Sequence, residues 1–137
     1  MELFGDYLNE VIERIRENEE KGIRLKFIGD RSGISSELLN LMDYAEKLTE
    51  NKSRVTLNIA INYGGRHEIA SAVKEIAKKA VNGEIDPENI DENLISDYLY
   101  TKGQPDPDLI IRPSGEFRLS NYLLWQLAYI NPLNEVC

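Results

Sequence analysis

The chain has 137 residues, 42% of them hydrophobic and 29% charged, a length that fits one domain and a balance too apolar for disorder and too charged for the bilayer. Lys and Arg number 16 against 24 Asp and Glu, a net charge of −8. This opposes general attraction to nucleic acid or anionic lipid, so any anionic ligand must be held locally.

The first segment places Leu3, Phe4, Tyr7, Leu8, Val11, Ile12 and Ile15 at helical spacing, with Gly22 as a stop, and predicts an amphipathic helix. Leu25 to Ile28 is a short apolar strand that exits into the turn-rich Gly29-Asp30-Arg31-Ser32-Gly33. Leu38, Leu41, Met42, Ala45 and Leu48 predict a second helix, and the β-branched run Val55 to Ile61 predicts a strand closed by Asn62-Tyr63-Gly64-Gly65-Arg66. A third helix is expected over 68–81, with Ile69, Ala72, Val73, Ile76, Ala77 and Ala80 on one stripe and Asn82-Gly83 at its end. Asp86-Pro87 and Asp91 are helix-start signals ahead of Leu94, Ile95, Tyr98 and Leu99. Leu109 to Ile111 is a third buried-strand candidate, Arg112 to Arg118 a polar loop, and Tyr122 to Ile130 a last helix.

Helices alternating with short apolar strands predict an α/β fold, a mainly parallel sheet covered by helices on both faces. Residues 1–137 are expected to form a single domain, and three strands are few for such a sheet, so the domain is expected to be partial. The lone Cys137 cannot close an internal disulfide, and no zinc-type Cys/His spacing is present. The start carries no basic-then-apolar leader, and no apolar run approaches the ~20 residues of a membrane span. A cytoplasmic protein is expected, with no nucleic-acid partner and at most peripheral membrane contact.

Each predicted strand runs into a loop that holds a basic residue and small residues. In a parallel sheet such loops emerge at one carboxyl edge, where open α/β sheets bind ligands. Arg66, Arg112 and Arg118 are expected to converge there. Guanidinium groups suit bidentate contact with phosphate, and glycines and a following helix start add backbone N–H groups, so a phosphate or diphosphate ligand is inferred. The blander alternative for any one arginine is a solvated or carboxylate-paired side chain. His67, the only histidine, is expected to be an exposed bystander, the Tyr122 to Tyr129 stripe to be core, and Glu17 to Glu20 a solvated face.

The segments Asn58-Ile59-Ala60-Ile61-Asn62-Tyr63-Gly64-Gly65-Arg66 and Asp106 to Gln126, with Ile28-Gly29-Asp30-Arg31, closely resemble the cis-prenyltransferases, or isoprenyl transferases, whose bacterial type member is undecaprenyl diphosphate synthase. The resemblance runs from the first helix through Tyr129. It implies an undecaprenyl diphosphate synthase-like domain, condensation of isopentenyl diphosphate with an allylic diphosphate to a cis-polyprenyl diphosphate, Mg²⁺ as cofactor, an apolar tunnel for the growing chain and a homodimer. The family's residues that hold isopentenyl diphosphate fall on Arg112, Arg118 and Ser120. No catalytic or metal-ligating residue carries over. The family's opening Asp-Gly-Asn-Gly-Arg loop has no counterpart among the 137 residues, and Asn131 stands where the family places a metal-binding glutamate, an amide being a weaker ligand for a hard cation. Pro113 replaces a usual threonine, and Asn131 to Cys137 departs from the family's continuation. The expectation is a fragment inactive or nearly so alone, the alternative being a non-catalytic partner subunit of a complete cis-prenyltransferase.

Overall fold

The computed structural model describes residues 2–17, 19–112, 118–130 and 135–136. Two compact units divide the chain at Asn62 and Tyr63. In the first, α1 (Glu2–Glu17) leads through a 3₁₀ turn (Glu19–Lys21) into β1 (Ile23–Ile28), followed by α2 (Ser36–Thr49) and β2 (Val55–Ala60). Strands β1 and β2 are parallel, pairing Ile23 with Val55 through Ile28 with Ala60. Leu25 and Phe27 on β1 pack with Leu8 and Ile12 of α1 and with Leu38, Met42 and Ala45 of α2, each of the larger side chains contributing about 1.5–3 kcal/mol when fully withdrawn from water. Ser35 caps α2, its hydroxyl accepting from the Leu38 N–H at 3.3 Å. Gly22 is left-handed (φ 64°), and its carbonyl accepts from the N–H groups of Arg54 and Val55.

The outer edge of β1 is closed by side chains of α2. The Leu25 N–H donates to Thr49 Oγ1 at 2.9 Å and the Phe27 N–H to Glu46 Oε1 at 2.8 Å. Backbone donors that a further strand would satisfy are met by one helix face.

The second unit contains α3 (Gly65–Val81), a 3₁₀ turn (Pro87–Asn89), α4 (Glu92–Ser96), β3 (Ile110–Ile111) and β4 (Glu135–Val136). The expected start signals act as caps: Asp86 accepts from the Glu88 N–H and Asp91 from the Leu94 N–H. Three expectations need correction. The buried residues of α3 are Gly65, Glu68, Ala72 and Ile76, so its inner stripe is rotated from the one expected and Val73 stays 52% exposed. Strand β3 is two residues long and pairs in parallel with β4 of the same unit; Leu109 and Ile111 are exposed, so it is not a buried strand. Tyr122 to Ile130 is a succession of turns rather than a helix, because Ser120, Asn121 and Leu123 are left-handed (φ 49°, 61° and 44°), a conformation that L-residues cannot propagate into a right-handed helix. Gln126 and Leu127 are buried there, whereas Tyr129 is exposed. Among the described residues no helix is long and apolar enough to cross a membrane.

Candidate functional site

Of the three loops expected at one edge, the first and second meet in the first unit, where the Asp30 N–H donates to the Asn62 carbonyl and Asn62 Nδ2 to the Asp30 carbonyl, and in the second unit Gly65 and Arg66 meet Asn121, just past the third. Gly64 precedes α3 without a side-chain cap, yet the first helix donors are met from 55 residues away. The Gly65 N–H donates to the Asn121 carbonyl at 2.7 Å and the Arg66 N–H to Asn121 Oδ1 at 2.9 Å. Gly65 is demanded by this approach, since a Cβ there would lie 2.9 Å from Leu124 Cγ and 3.1 Å from the Asn121 carbonyl oxygen, while one on Gly64 would lie 3.0 Å from Asn121 Nδ2. The helix start therefore does not offer these two N–H groups to a phosphate, contrary to expectation.

Behind this contact lies a buried carboxylate that sequence reasoning passed over. Glu68, 2% exposed, accepts at Oε1 from the Tyr63 hydroxyl (2.6 Å) and from Gln126 Nε2 (3.0 Å), and at Oε2 from the Tyr100 N–H (2.8 Å). Gln126 Nε2 also donates to Thr101 Oγ1 at 3.0 Å. Because the amide must turn its donors to Glu68 and Thr101, its own oxygen is buried without a hydrogen bond. Tyr63 stands edge-on to Tyr100 and Tyr122, with ring centroids 6.2 and 5.6 Å away. The signal was present in the sequence: 68, 72 and 76 share one face of a helix.

Burial first, and then the hydrogen bond and charge of Glu68, push the Tyr63 phenol well above its ordinary value. A tyrosine raised on folding adds stability that is fully present below the unfolded value of about 10 and is lost as pH climbs toward the folded one. Resistance to urea is thus expected to fall as pH rises above about 10 toward the raised folded value, and Tyr63→Phe should flatten part of that fall. An identical pH slope in the variant would assign the loss to other groups.

The expected diphosphate ligands occupy the same limb. Arg112 is half-buried and its guanidinium Nη1 donates to the Arg118 carbonyl, which ties together the two ends of the loop. Arg118 and Ser120 are exposed. Pro113 to Phe117, Asn131 and Cys137 lie outside the described residues. Arg66 and His67 are exposed on the first turn of α3. In the first unit Arg31 is held by Asp43 (2.6 Å) and Glu46 (2.9 Å), so the blander alternative applies to it. Among the described residues no group of three His, Cys, Asp or Glu side chains is placed to hold a metal ion.

The first unit also contains an apolar cavity of about 270 Å³, lined by Val11, Ile15, Ile23 and Leu57 with Arg14, Lys21 and Lys52 among its neighbours.

A family model described as "Putative undecaprenyl diphosphate synthase" matches residues 1–135. The chain belongs to this isoprenyl transferase family. It is 49% identical over 129 residues to an isoprenyl transferase of Prochlorococcus marinus, covering 90% of this chain and 47% of that protein. It is 43% identical over 129 residues to a (2E,6E)-farnesyl-diphosphate-specific ditrans,polycis-undecaprenyl-diphosphate synthase of Legionella pneumophila, covering 94% and 53%. Lavandulyl diphosphate synthase from Lavandula x intermedia, solved with dimethylallyl diphosphate, superposes with a TM-score of 0.88 at 34% identity, over 96% of this chain and 56% of that one. The chain spans about half the length of the curated relatives it matches. The α/β fold with parallel strand pairing is that of these enzymes.

Proposed function

We propose that this chain carries the isopentenyl diphosphate half of a cis-prenyltransferase site, the site that joins isopentenyl diphosphate to an allylic diphosphate. The carrying observation is the Arg112 guanidinium closed onto the Arg118 carbonyl, with Ser120 two residues on. That bond brings the two arginines of one short limb close in the backbone, and two planar cations and a hydroxyl there would suit a diphosphate in a protein whose net charge of −8 would otherwise repel it. Arg112 and Arg118 bind and orient the diphosphate, and Ser120 adds a hydrogen bond. The apolar cavity of the first unit is suited to a hydrocarbon chain, and the name of the Legionella relative supports farnesyl diphosphate as the allylic partner. The 137 residues contain no Asp-Gly-Asn-Gly-Arg loop, so catalysis by this chain alone is expected to be absent or very weak. Positioning of one substrate does not replace stabilisation of the departing diphosphate of the other. Homodimerisation and a cytoplasmic location belong to the same reading.

Calorimetric titration with isopentenyl diphosphate tests it. Arg112→Ala and Arg118→Ala should each weaken binding about 10-fold to 100-fold, the equivalent of a charge-assisted hydrogen bond or two. Isopentenol, which lacks the phosphates, should not bind measurably. Equal affinity in all three proteins would overturn the proposal.

A further inference from the structure

The substrate-binding limb needs a support that fixes where Arg118 and Ser120 stand. We propose that Asn121 is that positioning residue, pinning the limb to the first turn of α3. This rests on the reading of Arg112, Arg118 and Ser120 as the diphosphate site.

The first N–H groups of any helix lack intrahelical acceptors. Here one residue satisfies two of them in succession, the Asn121 carbonyl taking Gly65 and Oδ1 taking Arg66. To do so Asn121 adopts φ 61°, a conformation that asparagine tolerates better than other side-chain-bearing residues. Ser120 immediately before it is left-handed as well (φ 49°). Two consecutive non-glycine residues in that region persist only where surrounding contacts over-determine them. Those contacts are the α3 start on one side and, three residues on, Leu124 packed against the face of Gly65 where no Cβ fits. Ser120 adjoins the pinned residue, Arg118 lies three positions before Asn121, and the Arg118 carbonyl receives Arg112. A shift of Asn121 therefore moves every group proposed to touch the diphosphate, although Asn121 itself is assigned no contact with it.

Two variants of the full chain separate positioning from simple helix capping. Asn121→Gly keeps the left-handed backbone and the main-chain acceptor but removes Oδ1; Asn121→Asp keeps an acceptor oxygen. Backbone amide resonances are read without ligand, urea midpoints report folding, and isopentenyl diphosphate is titrated by calorimetry. In Asn121→Gly the amides of Arg66, Arg118 and Ser120 should all move and affinity should drop about 5-fold to 10-fold while the chain remains folded. In Asn121→Asp the ligand-free amides should stay near their wild-type positions, so the added charge does not enter. Movement of Arg66 alone, with Arg118, Ser120 and affinity unchanged, would reduce Asn121 to a cap and overturn the inference. So would failure of Asn121→Asp to restore the amides. A wild-type chain that binds no isopentenyl diphosphate would instead refute the underlying site, leaving the amide shifts to decide the pinning.

Discussion

Gly29→Ala is expected to destabilise the first unit by about 3–5 kcal/mol, an exceptional cost for one methyl group. Gly29 ends β1 at φ 131°, a conformation essentially reserved for glycine. An added Cβ would stand 1.8 Å from the Ile61 carbonyl oxygen and 2.9 Å from its carbon. Neither is a flexible side chain that could swing away. Relief requires the exits of β1 and β2 to separate, and that breaks the bonds joining them: Ile61 N–H to the Ile28 carbonyl (2.9 Å), Asp30 N–H to the Asn62 carbonyl (3.1 Å) and Asn62 Nδ2 to the Asp30 carbonyl (3.0 Å). Small domains hold only about 5–15 kcal/mol in reserve, so the loss should be visible as a large drop in the urea midpoint followed by circular dichroism. Gly33→Ala is the control. Gly33 is also left-handed (φ 77°) but has nothing within 4 Å of its Cβ position, so only the backbone term of about 1–2 kcal/mol remains. Equal losses at the two positions would show that the close approach at Ile61 carries no energy.

The second large effect concerns Glu68. Glu68→Ala removes the acceptor for three donors at once, the Tyr63 hydroxyl, the Tyr100 N–H and Gln126 Nε2, and opens a cavity in the unit's interior. Stranded buried donors cost about 1–3 kcal/mol apiece, and Gln126 retains a second acceptor in Thr101, so a total near 3–5 kcal/mol is expected. Glu68→Gln keeps one acceptor oxygen and should cost about half as much. The carboxylate also sits in the first turn of α3, where the helix dipole favours a negative charge. Trp125, the only tryptophan, lies in the same unit with its indole N–H on Ser96 Oγ at 3.1 Å, so its fluorescence reports unfolding there. A loss below about 1 kcal/mol for Glu68→Ala would mean that water replaces the carboxylate without difficulty.

The parts of this fold that were legible in the sequence are those fixed by neighbours along the chain. The spacing of Leu8 and Ile12, the caps at Asp86 and Asp91, and the end of α3 at Asn82-Gly83 are local, and they read correctly. The family was legible in the long segment Asp106 to Gln126, where many residues of unlike chemistry recur in order. What escaped depends on contacts between distant residues. Apolar residues from Tyr122 to Ile130 have helical spacing, but Asn121 is drawn to α3 and the left-handed turns that result leave no helix to form. Arg31 carried the same outward signal as Arg112, but the placement of Asp43 and Glu46 on α2 holds it, whereas Arg112 donates to the Arg118 carbonyl. Glu68 looked like any acidic first-turn residue until Tyr63, Tyr100 and Gln126 closed around it.

The most direct test of the diphosphate site is a crystal structure of the chain grown with isopentenyl diphosphate. The expected result is both guanidinium groups, Arg112 and Arg118, within hydrogen-bonding distance of the diphosphate oxygens, with the Ser120 hydroxyl beside them. A diphosphate bound elsewhere, or those two side chains turned away from it, would contradict the assignment of this loop as the substrate clamp.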